Sequence, residues 1–145
     1  MPQEWKEIYS LHHEIIDAQH QELFHLANKV EALDPKKTTK EDLSILFKKF
    51  FSYMREHFKD EEAYMKSIDY PLLDDHKKLH EVIIDNLTNI LKHTKGIEAI
   101  QAKMKVIAHQ WLVEHILEND LKIEKWRCTQ IIVLEDYNPV ENALL

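Results

Sequence analysis

The chain has 145 residues, a formal charge of −7, ten histidines, four prolines, one cysteine and one glycine. One domain of this length buries a real core without staples, a lone thiol excludes an intramolecular disulfide or a thiolate zinc site, and an acidic chain with no basic block points away from nucleic acid. No stretch approaches the roughly 18 apolar residues of a membrane span, and acids and histidines run through the N-terminal region, so a cytoplasmic protein without signal peptide or membrane association is expected.

So little turn chemistry disfavours sheets. The sequence reads as all-α: an antiparallel up-down four-helix bundle with an N-terminal arm and a C-terminal tail, forming a single domain over 1–145. Residues 1–10 are the arm. The first helix, about 11–32, carries Ile16, Leu23, Ala27 and Val30 at helical spacing. Asp34 to Thr39 reads as a loop, and Thr38 with Glu41, or Thr39 with Asp42, supplies a capping box for the next helix. That second helix, about 40–67, has Leu43, Leu46, Phe50, Met54 and Met65 in its stripe, and Tyr70-Pro71 breaks the chain after it. The third, about 72–94, has Leu73, Ile83, Leu87 and Ile90, with Gly96 as its natural terminator. The fourth, about 97–127, has Ile100, Met104, Ile107 and Trp111, and beside them Leu112, Ile116 and Ile123. Residues 128–145 are the tail. Its run Ile131-Ile132-Val133-Leu134 is expected either to pack on the bundle or to meet a partner protein or a second copy.

Every stripe is interrupted by ionisable residues. In the first helix the row from Ile16 to Leu23 passes through His20. In the second, Phe50 and Met54 lead to His57, Glu61 and Met65, and in the third, Leu73 leads to His76, His80 and Ile83. In the fourth, Ile107 and Trp111 lead to His115, while Leu112 and Ile116 lead to Asp120 and Ile123. Burying such groups unpaired costs several kcal/mol each. A metal removes that cost by coordinating them, and the i, i+4 pairs His57/Glu61 and His76/His80 each converge on one helix face. A lone His-x-x-x-His is a weak signal. The stronger one is joint: five histidines and two carboxylates, all in core phase, on all four helices. The other histidines, His12, His13, His25, His93 and His109, fall outside this layer and read as surface or packing residues.

Seven nitrogen and oxygen ligands are too many for one tetrahedral ion, and they suit two metals with bridging carboxylates; imidazole with carboxylate suits iron. The ferritin-like plan needs Glu-x-x-His on two helices, and only Glu22-x-x-His25 has that spacing here.

The pieces Ile16-Asp17-Ala18-Gln19-His20, His57-Phe58-Lys59-Asp60-Glu61-Glu62, His76-Lys77-Lys78-Leu79-His80 and Trp111 to Asp120 resemble the hemerythrin family, in family order on successive helices. The resemblance covers about residues 5–125 and is specific through the combination. It implies two non-haem iron ions with an oxo or hydroxo bridge that bind dioxygen reversibly. By that mapping His76, His80 and His115 hold one iron, His20 and His57 the other, and Glu61 and Asp120 bridge them. The iron with two histidines keeps the open position. On the fourth helix, spacing from His115 alone favours Glu118 at i+3, since Asp120 at i+5 sits about 140° round. Asp120 is nonetheless the expected ligand, because it lies in phase with Leu112, Ile116 and Ile123. Phe24, Phe58, Trp111, Leu112 and Ile116 are expected to wall a dry pocket, and each imidazole needs a partner on its second nitrogen that the sequence does not identify. The functional expectation is an oxygen carrier, store or sensor rather than an enzyme; the alternative is a di-iron enzyme acting on peroxide, dioxygen or nitric oxide.

Overall fold

The computed structural model describes residues 3–136, with side-chain surroundings given to residue 131. The fold is an all-helical four-helix bundle, with no strand among the described residues. Helix α1 spans Glu14–Glu31, α2 Lys40–Ser67 and α3 Leu73–His93. The fourth rod opens as α4, Ile97–Ile107, winds as π-helix through Ala108–Glu114 and Ile116–Asp120, and continues as α5, Leu121–Asp136. Helix α1 packs on α2 and on α4, and α2 packs on α3. No described helix is long and apolar enough to cross a membrane.

The starts of α1, α2 and α4 have local causes. Thr39 accepts from the Asp42 backbone N–H while the Asp42 carboxylate accepts from the Thr39 N–H, which makes 39/42 the capping box of α2. Helix α1 begins three residues later than the periodicity suggests. The Asp17 carboxylate accepts from the Leu11 backbone N–H at 2.9 Å and from the Ser10 hydroxyl, His12 takes a left-handed φ of 52°, and the His13 ring caps the Ile16 N–H. Gly96 differs from expectation. Helix α3 closes on Thr94, and Gly96, with φ of 92°, is the N-cap of α4. A β-carbon there would meet nothing within 4 Å, so backbone conformation rather than crowding selects glycine. Gln101 ties α4 to the end of α1 by donating to the backbone carbonyls of Leu33 at 2.6 Å and Val30 at 3.1 Å.

The fourth rod also runs past residue 127, to Asp136, because neither glycine nor proline interrupts it before Pro139. Of the expected tail, residues 137–145 lie outside the described residues, as do the surroundings of Ile132, Val133 and Leu134.

The core is divided. A large apolar cluster runs from Leu23, Phe58, Ile83 and Ile116 toward the α2 N-terminus, through Phe50, Phe47 and Leu43. A small one holds Leu11, Ile16, Met65, Tyr70 and Ile123. His20 lies between Ile16 and Leu23, Glu61 between Phe58 and Met65, and Asp120 between Ile116 and Ile123. A buried polar layer therefore separates the two clusters.

Candidate metal centre

The structure brings all seven predicted side chains into this layer, each buried. Their ligand atoms form two groups, one of Glu61, His76, His80, His115 and Asp120, the other of His20, His57, Glu61 and Asp120; within each group the atoms lie within 4.8 Å of one another. The carboxylates belong to both. Glu61 Oε1 lies 3.0 Å from His76 Nε2 and 3.1 Å from His80 Nε2, while its Oε2 lies 3.5 Å from His20 Nε2 and 3.3 Å from His57 Nε2. Asp120 divides in the same way. Its Oδ1 is 2.9 Å from His76 Nε2 and 3.1 Å from His115 Nε2, and its Oδ2 is 3.2 Å from His20 Nε2.

The winding of the fourth rod aligns His115 with Asp120. In an α-helix residue i+5 points about 140° from residue i. A π-helix adds about 0.8 residue per turn, which reduces that angle to roughly 50°. Glu118, the α-helical choice, is exposed. Asn119 lies on the outer side of His115, 3.4 Å from Nδ1.

The layer is polar without being satisfied. Ten buried side-chain nitrogen and oxygen atoms among the described residues have no hydrogen-bond partner, and seven of them belong here: both nitrogens of His20, Nε2 of His80 and His115, Glu61 Oε2 and both oxygens of Asp120. Orphaned atoms in a core cost about 1–3 kcal/mol each. Metal bound where these groups converge would satisfy all of them but His20 Nδ1, which lies on the far side of its ring, so the donor set fits metal of the imidazole-and-carboxylate class.

Without metal, protons must do this work. Burial disfavours the charged form of His20, but the closeness of the Asp120 and Glu61 carboxylates outweighs it and pushes its pKa up to about 9. His76 is pushed up to about 10 by the same balance. Burial and the neighbouring His20 charge lower His57. Burial alone would raise both carboxyls; the surrounding histidines instead hold Glu61 and Asp120 well below the usual carboxylate range. Without metal, the charges of His20 and His76 thus oppose those of the two carboxylates.

Partners of the outer nitrogens, which sequence reasoning leaves open, come from neighbouring helices. His57 Nδ1 donates to Gln19 Oε1 at 2.7 Å, and Gln19 Nε2 donates to Asp60 Oδ2 at 2.7 Å. His80 Nδ1 donates to Glu62 Oε2 at 3.3 Å. Gln19 and Glu62 each flank a predicted ligand in sequence, but no spacing rule within one helix identifies a pairing across two. Phe58 stacks on His80 with ring centres 3.8 Å apart, lies tilted against His57 and meets His115 edge-on. Phe24, Leu112 and Ile116 are buried in the adjoining apolar cluster, whereas Trp111 is half-buried and packs on that cluster from its rim. Of the histidines assigned elsewhere, His25, His93 and His109 are exposed, His12 reaches Glu124, and His13 caps α1 with its ring edge on Tyr64.

The pattern of the hemerythrin HHE cation binding domain matches residues 11–126. The bacteriohemerythrin of Campylobacter jejuni is 27% identical over 122 residues, covering 83% of this chain and 92% of that protein. The myohemerythrin of Theromyzon tessulatum is 33% identical over 122 residues, covering 83% and 90%. The bacteriohemerythrin of Clostridium acetobutylicum is 32% identical over 126 residues, covering 80% and 94%. No solved structure matches. Because the domain match takes in every one of the seven converging side chains, and the relatives align over most of their own length, the chain belongs to the hemerythrin family.

Proposed function

We propose that the protein, as a single domain, binds dioxygen reversibly at a pair of iron ions held by His20, His57, Glu61, His76, His80, His115 and Asp120. Family membership carries the coarser statement, a non-haem iron protein that binds oxygen and is not an enzyme. The observation that supports the finer one is the division of both carboxylates: each presents one oxygen to a three-histidine group and the other to a two-histidine group. In this reading His76, His80 and His115 hold one ion, His20 and His57 hold the second, and Glu61 and Asp120 hold both. The second ion has one histidine fewer and so keeps a position free for a small ligand. A bound iron pair supplies the electrons that let dioxygen bind and leave.

The chain's own residues do the rest. Glu61 and Asp120 balance metal charge inside an apolar shell. Gln19 and Glu62 fix the tautomers of His57 and His80, so that each Nε2 presents a lone pair to the layer. Phe58 and the neighbouring apolar side chains keep water from the layer, which favours release of the ligand unchanged.

Metal analysis of protein isolated with its metal should give two irons per chain. Anaerobic reduction followed by air should then cycle the protein between a pale and an intensely coloured form. One tightly bound zinc with no uptake of iron would overturn the site. Rapid irreversible oxidation with turnover of peroxide would overturn the carrier and favour a di-iron enzyme.

A further inference from the structure

Two of the buried histidines are held from behind by partners of different charge. Asp60 has only acceptor oxygens, so the Gln19 amide nitrogen must face it. The amide oxygen then faces His57 Nδ1, which must carry the ring proton. His57 is thus held by a neutral carboxamide. His80 Nδ1 also carries a proton, because its partner is the Glu62 carboxylate, another acceptor-only group. Glu62 is half-buried and, with His80 and Phe58, lines a groove of about 550 Å³ between α2 and α3. A carboxylate behind an imidazole raises its basicity and stabilises the higher charge of a bound metal; a carboxamide does so far less. His57 belongs to the two-histidine group and His80 to the three-histidine group.

We propose that Gln19 and Glu62 are positioning residues that set the two metal positions at different redox potentials, with the His80 position the easier to oxidise and the His57 position the harder. This rests on the two-ion reading above. An uncharged partner at the ligand-binding position disfavours spontaneous loss of an electron there. The groove leaves the charged partner of the other position open to solvent.

The test uses the full-length, iron-loaded protein, with iron content and the two one-electron midpoints measured together. Glu62→Gln keeps shape and removes the charge. Gln19→Glu is combined with Asp60→Asn, so that the new carboxylate still finds a donor at position 60. Glu62→Gln should raise the lower midpoint, and the paired substitution should lower the upper one. The two variants therefore narrow the gap from opposite sides. A tenfold change in the ferric to ferrous ratio at fixed ambient potential is the expected size, about 59 mV for one electron. With two irons retained, midpoints that stay put, or that move in the same direction in both variants, overturn the proposal. So does loss of iron from either near-isosteric variant, which would make these residues structural. Fewer than two irons in the unaltered protein would instead overturn the two-ion reading.

Discussion

Helix α2 and the fourth rod each deliver one histidine and one carboxylate to the same layer, by different backbones. In α2, His57 and Glu61 are four residues apart in a regular α-helix, and the ordinary turn places both inward. In the fourth rod His115 and Asp120 are five apart, and the chain winds as π-helix through Ala108–Glu114 and Ile116–Asp120. A π turn has weaker intrinsic geometry than an α turn and needs a local cause. Here the layer supplies it, because an α-helical rod would leave Asp120 turned from the carboxylate, imidazole and apolar neighbours it meets. The same polar set is thus built once from local spacing and once from a distortion that only the assembled bundle stabilises.

The largest way to break the comparison is to remove either carboxylate. Glu61→Ala and Asp120→Ala should each reduce iron from two per chain to one or none by metal analysis, since each is proposed to hold both ions. Adding Asn119→Asp to Asp120→Ala places a carboxylate at the α2 spacing of i+4. It should not restore iron, because residue 119 lies at the outer nitrogen of His115. Restored iron would mean that the rod can serve the layer as α2 does.

Acidity separates the metal-free from the loaded protein. His20 and His76 have folded pKa values of about 9 and about 10, against an unfolded value of 6.5. Raised values stabilise the metal-free fold fully below about pH 6.5, and that contribution is lost as pH rises toward 9–10. Glu61 and Asp120, depressed, contribute above the ordinary carboxylate range and lose their contribution as pH falls through it. Thermal unfolding of the metal-free protein should therefore be most stable in mildly acidic solution. Iron must displace the protons of His20 and His76, so iron affinity should climb over the range in which metal-free stability declines. Slopes of the same sign in the two titrations would contradict this account of the layer.

A smaller change sharpens the difference between the two-histidine group, to which α2 contributes, and the three-histidine group, to which the fourth rod contributes. Leu23 is buried one turn after His20. Leu23→Phe should cost roughly 1–3 kcal/mol of overpacking, measured by denaturant unfolding. It should weaken azide binding to the oxidised protein while iron content stays at two. Azide seated at the ion held by His76, His80 and His115 would reverse the assignment of the free position. The smallest effect is expected from Glu118→Ala, at an exposed site: unchanged iron and a stability change within about 0.5 kcal/mol. Loss of iron there would identify Glu118, rather than Asp120, as the ligand of the fourth rod.

The bundle was legible because its signals are local. Periodic apolar residues, the Thr39–Asp42 box and the Tyr70-Pro71 break act over one or two turns, so α2 agrees with its sequence-based bounds of 40–67. The start of α1 was less legible, because Asp17 reaches back to Leu11 and Ser10 and holds them out of the helix. Gly96 suits the end of α3 as well as the start of α4 by spacing, since a short linker offers one glycine to both, and the structure uses it at the start of α4.

Spacing alone placed seven ionisable side chains in the core phase of four helices, with the imidazole-and-carboxylate chemistry of metal ligands. A helix fixes the direction of each residue relative to its own axis, so this much follows from spacing. Which carboxylate oxygen faces which imidazole, how the fourth rod winds to bring Asp120 beside His115, and that Gln19 and Glu62 stand behind His57 and His80 came from the packed bundle alone. Those facts depend on the relative height and rotation of neighbouring helices and on a local π winding. Packing across the bundle sets both, and no period within a single helix records them.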